Sequence, residues 1–501
     1  MLIFSWSEKS LRIRSSYPFI HNFRLYLPSL VNELLDLLPA KLWSDKNARF
    51  LDPMCKSGVF LREIAKRLLK GLEKVFPELQ ERINHIFTKQ LFGIALTELT
   101  ALLSRRSVYC SKSANGEYSI CNEFQDSQGN ILFSPIAHTW KNGVCPYCGV
   151  RGKQYKREEG TEATAYNFIH PHDHKDLNSM EFDVIIGNPP YHLSDGGSKK
   201  SAMPIYDKFV RQAKSLNPRY LIMIIPSRWF TGGKRLDEFR KEMLNDQHLK
   251  TMVDFWDSRD CFPNVDIAGG VCYFLWDRDY SGDCEVTCRY KNKSTISMRK
   301  LNEFEVFIRS PEAVQIIKRI QKIGEPNMSS QVSGRNPFGL STKERPSGKG
   351  NLTLLCSEGK GKIERAKVIT GEKYIDQWKV ITSNASYDHG GSPDKEGRRR
   401  VLSRIEVLPP SAVCTDSYIV AGSFLDEMQA ANLATYMKTK FVRFLISQMQ
   451  VSQHITKGRF AFVPQQDHTQ KWTDSKLYKK YKLADEEIEF IENMIRPMEV
   501  T

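Results

Sequence analysis

Apolar residues along this chain fall into short β-branched runs alternating with stretches of helical spacing, which predicts strands alternating with helices. The run Phe182-Asp183-Val184-Ile185-Ile186 reads as a strand buried on both faces of a parallel sheet. It ends in Gly187-Asn188-Pro189-Pro190-Tyr191, where glycine permits a tight turn and two prolines fix the backbone as it leaves the sheet. Upstream, a helical lead-in (LYLPSLVNELLDLLPAKL) precedes a strand from Arg49 to Leu51, a turn from Asp52 to Gly58 and a helix from Val59. A second strand, Leu91 to Leu96, is followed by a helix through Leu99, Leu102 and Leu103. This β–α–β–α order opens a doubly wound α/β sheet. Beyond the proline turn come a helix (PIYDKFVRQAKSL), a strand from Tyr220 to Ile225, a helix near Leu236 to Leu244, and strands Met252 to Phe255 and Val271 to Trp276. The sheet is therefore expected to hold about five or six strands.

The pattern breaks twice. Residues 110–176 are polar and rich in Gly, Ser, Cys and His, and read as an insertion between residues 1–109 and 177–295, the two parts of the first domain. After that domain the periodicity weakens, and residues 296–501 read as a separate α+β domain. Its strand candidates are Lys379 to Thr382 and Tyr418 to Val420; its helices are Ala430 to Met449 and Asp485 to Ile495.

Composition narrows the class. The chain has 501 residues, 41% hydrophobic and 26% charged, which suits a globular protein with real cores. No apolar run of ~18 residues is free of charge, so no membrane span is expected. Eleven cysteines, an odd number scattered over a chain without a signal peptide, suggest a reducing cytoplasm. A net charge of +15 suggests a polyanionic partner.

Two turns lie where open α/β sheets bind ligands, at the carboxyl ends of strands. In the second, the Asn188 amide oxygen and the adjacent Pro189 carbonyl can each accept one N–H of an amino group conjugated to a ring. Held that way, its lone pair points at an electrophile. Tyr191 can stack on a base swung out of a duplex. In the first, Asp52-Pro53-Met54-Cys55-Lys56-Ser57-Gly58 joins a strand to a helix N-terminus. Its amides suit a carboxylate, and Asp52 suits an ammonium.

DPMCKSG followed by FDVIIGNPPY resembles the N6-adenine DNA methyltransferases of restriction–modification systems, in particular the Eco57I-like methylases. The resemblance covers about residues 15–290 by motif and extends more loosely through the C-terminal domain. It implies a Rossmann-like sheet using S-adenosylmethionine and a C-terminal target-recognition domain on double-stranded DNA. Asn188, Pro189, Pro190 and Tyr191 then carry catalysis, and Asp52 to Gly58 line the cofactor site. Two positions depart from that pattern. Lys56 replaces a usual glycine, and Ala95 stands where an acidic residue holds the ribose hydroxyls, leaving Thr97 or Glu98 as substitutes. Three alternatives stay open: RNA-adenine methylation, protein-glutamine methylation, and a DNA-binding specificity subunit with a decayed cofactor site. No nuclease site is read, so cleavage would fall to a separate restriction endonuclease.

Cys145-Pro146-Tyr147-Cys148-Gly149 has the form of a zinc knuckle. Cys110 and Cys121 are the expected second pair for a structural zinc, with His138 as a substitute ligand. His170, His172 and His174 with Asp173 read as a solvated loop. For DNA phosphates the candidates form three basic groups: Arg398, Arg399 and Arg400, in a run that also contains Lys395 and Arg404; Lys440 and Arg443 on a helix; Lys457 and Arg459. Arg228 and Trp229 follow a strand on the active-site face. Trp229 either walls a base pocket or packs at a loop base.

Overall fold

The structure of the chain, a computed structural model, describes residues 28–150, 166–170, 180–192, 203–233, 235–290, 293–388, 394, 396–449 and 454–498. Lys395, His172, Asp173 and His174 lie outside the described residues, as does the lead-in before Pro28.

In chain order the first strands are β1 (Phe50–Cys55), β2 (Leu91–Ala95), β3 (Ile131–Leu132), β4 (Val184–Gly187), β5 (Tyr220–Pro226), β6 (Leu249–Phe255), β7 (Val271–Asp277), β8 (Cys284–Tyr290) and β9 (Lys293–Arg299). They form one nine-stranded sheet in the order β3-β2-β1-β4-β5-β7-β6-β8-β9. Strands β1 to β5 pair in parallel with one another. β7 lies antiparallel between β5 and β6. The strand order reverses between β1 and β4, so the crevice at their carboxyl ends is the switch point of the sheet.

Alternation along the strands feeds two cores. Phe50, Val184, Ile186, Ile222 and Ile224 face the helices Pro28–Leu35, Val59–Gly71 and Glu98–Tyr109. Leu51, Ile185, Leu221, Met223 and Ile225 face Tyr206–Ser215 and Asp237–Asn245. Burial on both faces is why the central strands read as unbroken apolar runs.

Three expectations need correction. β1 continues through Cys55, so the turn is confined to Lys56, Ser57 and Gly58. A stretch containing Asp and Pro looks like a turn, yet here Asp52 is a buried strand residue, 2% exposed. β3 lies inside the segment expected as an insertion, pairing with β2 through Gly93 and Ile94. β8 and β9 carry the sheet to Arg299, past the expected boundary at 295. β9 alternates exposed and part-buried residues at an edge, which gives little apolar signal.

The C-terminal lobe holds two three-stranded sheets and a helical cluster. One sheet pairs Trp378–Ser383 with Ile405–Leu408 and Tyr418–Phe424; the other pairs Leu352–Cys356 with Gly359–Ile363 and Ala412–Cys414. The expected helix from Ala430 to Met449 is two, Glu427–Lys438 and Lys440–Gln448. Thr439 caps the second by accepting from the Val442 N–H at 3.2 Å. Among the described residues no helix is long and apolar enough to cross a membrane.

The lobe is pinned to the sheet by a buried ion pair. Asp254, at 0% exposure near the end of β6, meets Arg309 Nε at 3.0 Å and accepts from Ser227 Oγ at 2.8 Å. Arg309 lies over the Trp256 ring at 5.5 Å, and Arg399 lies over the same ring at 4.8 Å. Removing one member of such a pair strands the other charge. We expect Asp254→Ala to lower unfolding free energy by about 3–5 kcal/mol in urea denaturation. Adding Arg309→Met should recover part of that loss; no recovery would place the cost elsewhere.

Candidate functional site

The two loops that leave β1 and β4 touch. Asp52, Met54, Lys56, Ser57, Gly58, Val59, Phe60 and Asn188 line one cleft. A Cβ on Gly187 would sit 2.8 Å from Met54 Cε and 3.1 Å from Asp52 Oδ1, so the end of β4 packs closely on these two β1 side chains. Gly58 has φ +69°, and a Cβ there would meet Ser104 Cα at 2.9 Å. That glycine lets the Val59–Gly71 helix start tight against the Glu98–Tyr109 helix.

The first turn of the Val59–Gly71 helix has no side-chain cap and no acidic residue. Its N–H groups are thus suited to an anion. Beside it, burial raises the Asp52 carboxyl to about 6, opposed by the Met54 N–H that it accepts at 3.0 Å. A carboxyl raised by burial gains most from a cation brought to it. The donor set therefore fits the zwitterionic end of an amino-acid-bearing cofactor.

Asn188 is 2% exposed, and among the described residues neither its Oδ1 nor its Nδ2 has a hydrogen-bond partner. Buried amides are seldom left so. Pro189 is buried and Pro190 half-buried. The Tyr191 carbonyl accepts from the Ile205 N–H at 3.2 Å, and His192 bridges to Pro204. The Tyr191 ring stands edge-on to Tyr206, with centroids 6.5 Å apart. Tyr206, which the sequence did not single out, thus backs the turn.

Of the expected ribose contacts, Thr97 is committed to capping its helix. Its hydroxyl accepts from the Thr100 N–H at 3.2 Å, and the Thr100 hydroxyl accepts from the Thr97 N–H at 2.9 Å. Glu98 stands exposed in the first turn, and Ala95 is buried at the end of β2.

The cysteines divide differently from the expected set. Cys145 and Cys148 gather with His138 and His170, their ligand-type atoms all within 4.8 Å of one another. Cys110 is an exposed helix C-cap, and Cys121 is buried in the core on the other face of the sheet. His170 is 4% exposed, not solvated. The apolar residues before it (Tyr166, Phe168, Ile169) were the available signal for its burial. Burial and the neighbouring His170 hold the His138 imidazole neutral, lowering it to about 4.

The basic candidates also separate. Arg443 is 1% exposed and donates to the carbonyls of Lys438, Thr439, Arg400 and Arg496. Lys440 pairs with Glu492, and Arg398 with Glu396. Arg399 is buried over Trp256, and Arg400 lies over Tyr387 at 4.6 Å. Trp229 is fully buried against Phe230 and Phe239, so it packs and walls no open pocket. Burial lowers the pKa of Arg228, and burial, with the positive charge of Arg228 adding to it, lowers that of Arg459 to about 10. Lys457, two residues before Arg459, is exposed.

Loops that bring a buried amide turn beside a buried carboxyl at a sheet's switch point suit group transfer to an amino nitrogen. The comparisons agree in class. A profile described as the Eco57I restriction-modification methylase matches residues 89–262. An "uncharacterized adenine-specific methylase" of Mycoplasma pneumoniae (strain ATCC 29342 / M129 / Subtype 1) is 36% identical over 307 residues, covering 56% of this chain and 73% of its own. The chain belongs to this family of adenine-specific, Eco57I-type restriction-modification methylases. Among solved structures, the Type IIL restriction-modification enzyme MmeI in complex with DNA has a TM-score of 0.45 at 13% identity, covering 87% of this chain and 63% of that one. The ATP-dependent Type ISP enzyme LlaBIII bound to DNA has a TM-score of 0.43 at 11% identity, covering 79% and 33%. The chain thus spans one third to under two thirds of those two proteins' lengths.

The placement of Arg443 gives a test. Arg443→Ala should destabilise the helical cluster by about 2–4 kcal/mol in chemical denaturation, because four carbonyls lose their donor inside a core. The salt dependence of DNA binding should stay unchanged; a slope reduced by about one would assign this arginine to a phosphate.

Proposed function

We propose that the chain is a site-specific DNA adenine-N6 methyltransferase using S-adenosylmethionine, cytoplasmic, and serving a restriction–modification system beside a separate endonuclease. The observation that carries this reading is Asn188: a buried amide without a protein partner among the described residues, lining the same cleft as Asp52 and Gly58. Family membership supports the choice of adenine as the acceptor.

Bound S-adenosylmethionine supplies a methyl group made electrophilic by the sulfonium. Asp52 would hold the cofactor's ammonium, and the N–H groups at the start of the Val59–Gly71 helix its carboxylate. Asn188 Oδ1 and the Pro189 carbonyl each accept one N–H of the N6 amino group, aiming its lone pair along the line of transfer. Tyr191 stacks on the flipped base. Transfer would exchange the cofactor's C–S bond for a C–N bond, and the extra proton on N6 would leave to water. For phosphates this reading assigns Lys457, which is exposed, together with Arg228 and Arg459. Lys56 lies near enough to Asp52 to favour its ionised form.

Asn188→Ala should cut tritium transfer from labelled cofactor to DNA at least 1,000-fold, while calorimetric cofactor affinity changes less than about threefold. Near-normal transfer would remove Asn188 from the mechanism. A second expectation follows from the raised Asp52 pKa. Below about pH 6 the free carboxyl is protonated and cannot pair with an ammonium. Cofactor dissociation constants should therefore rise about tenfold per unit as pH falls below 6 and level off above it. In Asp52→Asn that dependence should vanish.

A further inference from the structure

We propose that Cys145, Cys148, His138 and His170 bind one structural zinc ion, and that this site fastens the chain's central excursion to the helix following the Asn-Pro-Pro-Tyr turn. Cys145 Sγ lies 3.3 Å from His170 Nε2, and Cys148 Sγ lies 3.3 Å from His138 Nδ1. Zinc bonds of about 2.3 Å to sulfur and about 2.0–2.1 Å to nitrogen put tetrahedral ligand atoms roughly 3.3–3.8 Å apart. The cluster is therefore within small side-chain adjustments of a closed tetrahedral site. A closed set of four protein ligands leaves no position for a substrate, so the ion's role is structural.

The surroundings are arranged for the ligands. His170 Nδ1 donates to the Tyr166 carbonyl at 2.7 Å, leaving Nε2 as the unprotonated nitrogen that faces the sulfurs. Metal-bound histidines are characteristically oriented this way. The cysteine turn closes through Gly149 N–H to Cys145 carbonyl at 2.8 Å, with Gly149 at φ +81°. The Val150 N–H points at the Cys148 sulfur. Just before it, Asn142 and Gly143, both at positive φ, turn the chain between Lys141 and Val144.

What the site would hold together is specific. Cys145, Cys148 and the Tyr166–His170 segment share a core with Ile205, Tyr206 and Phe209 of the helix after the catalytic turn. Lys208 Nζ on that helix donates to the Tyr147 carbonyl at 2.5 Å, inside the cysteine knuckle. Phe168 stacks on Phe209 at 6.1 Å. The same helix carries Tyr206, which backs Tyr191. A zinc ion here would anchor the support of the turn without touching substrate.

The test is metal content of the full chain purified from zinc-supplemented cells. About one equivalent of zinc is expected. Cys145→Ser and His170→Ala should each fall below about 0.2 equivalents, whereas Cys110→Ser and Cys121→Ser should keep the ion. Should the ligand variants fail to fold, cobalt exchanged into the intact protein reads the site directly. The expected absorption is that of tetrahedral cobalt with two thiolates and two imidazoles. Less than about 0.2 equivalents in the folded wild type would overturn the proposal, leaving only thiol–imidazole hydrogen bonds. So would loss of zinc from Cys110→Ser or Cys121→Ser, or a four-thiolate cobalt spectrum. No transfer assay enters, so this inference and the methylation reading fail separately.

Discussion

The parallel pairing of β1 with β4 is the constraint on which the rest depends. Phe50 lies opposite Val184 and Leu51 opposite Ile185, so the two strands end side by side. The residues that follow them are far apart in sequence but share one cleft. Because side chains alternate along a strand, a one-residue slip would turn Phe50 and Leu51 to the wrong faces and exchange the two cores. Burial on both faces therefore fixes the register, and the register fixes the distance between Asp52 and Asn188. The absence of a Cβ on Gly187 is the local counterpart of that constraint, since it allows contact with Met54 and Asp52.

Much of this was legible in the sequence where the signal is local. Unbroken β-branched runs announced β4 and β5, and the order of loop, strand and proline turn announced the switch point. Signals failed where tertiary context overrode local character. Asp52 and Pro53 suggested a turn, but a buried carboxyl at a strand end serves the site better than a solvated one. The second half of the sheet reads as a mixture of polar and apolar residues because β8 and β9 approach an edge. Thr439 interrupts a helical period without a glycine or proline to mark it. The Cys/His cluster was half visible: the cysteine pair is local, but its histidine partners come from either side, and nothing in spacing alone ranks His138 and His170 above Cys110 and Cys121.

Net charge was the least informative guide to individual residues. A charge of +15 states that many cations exist, not which ones are available. Several arginines and lysines of the C-terminal lobe are building material. Arg443 offers a planar fork of donors to carbonyls at a helix junction, which no lysine could satisfy. Arg399 covers Trp256, and Lys379, 0% exposed, donates to the carbonyls of Ile375, Pro409 and Ala412. Such residues are conspicuous in a sequence because they are basic, yet their charges are spent inside the fold.

What distinguishes Arg228 and Arg459 is that their arrangement opposes stability. Burial lowers the pKa of both groups, and the charge of Arg228 lowers that of Arg459 further. The Asp254–Arg309 pair and the Trp256 stack set the lobe against the sheet, and the chain accepts this repulsion within that arrangement. Unfavourable contacts of this kind persist where a ligand relieves them. An anion beside these groups would offset that cost. In the proposed reading that anion is a backbone phosphate near the flipped adenine.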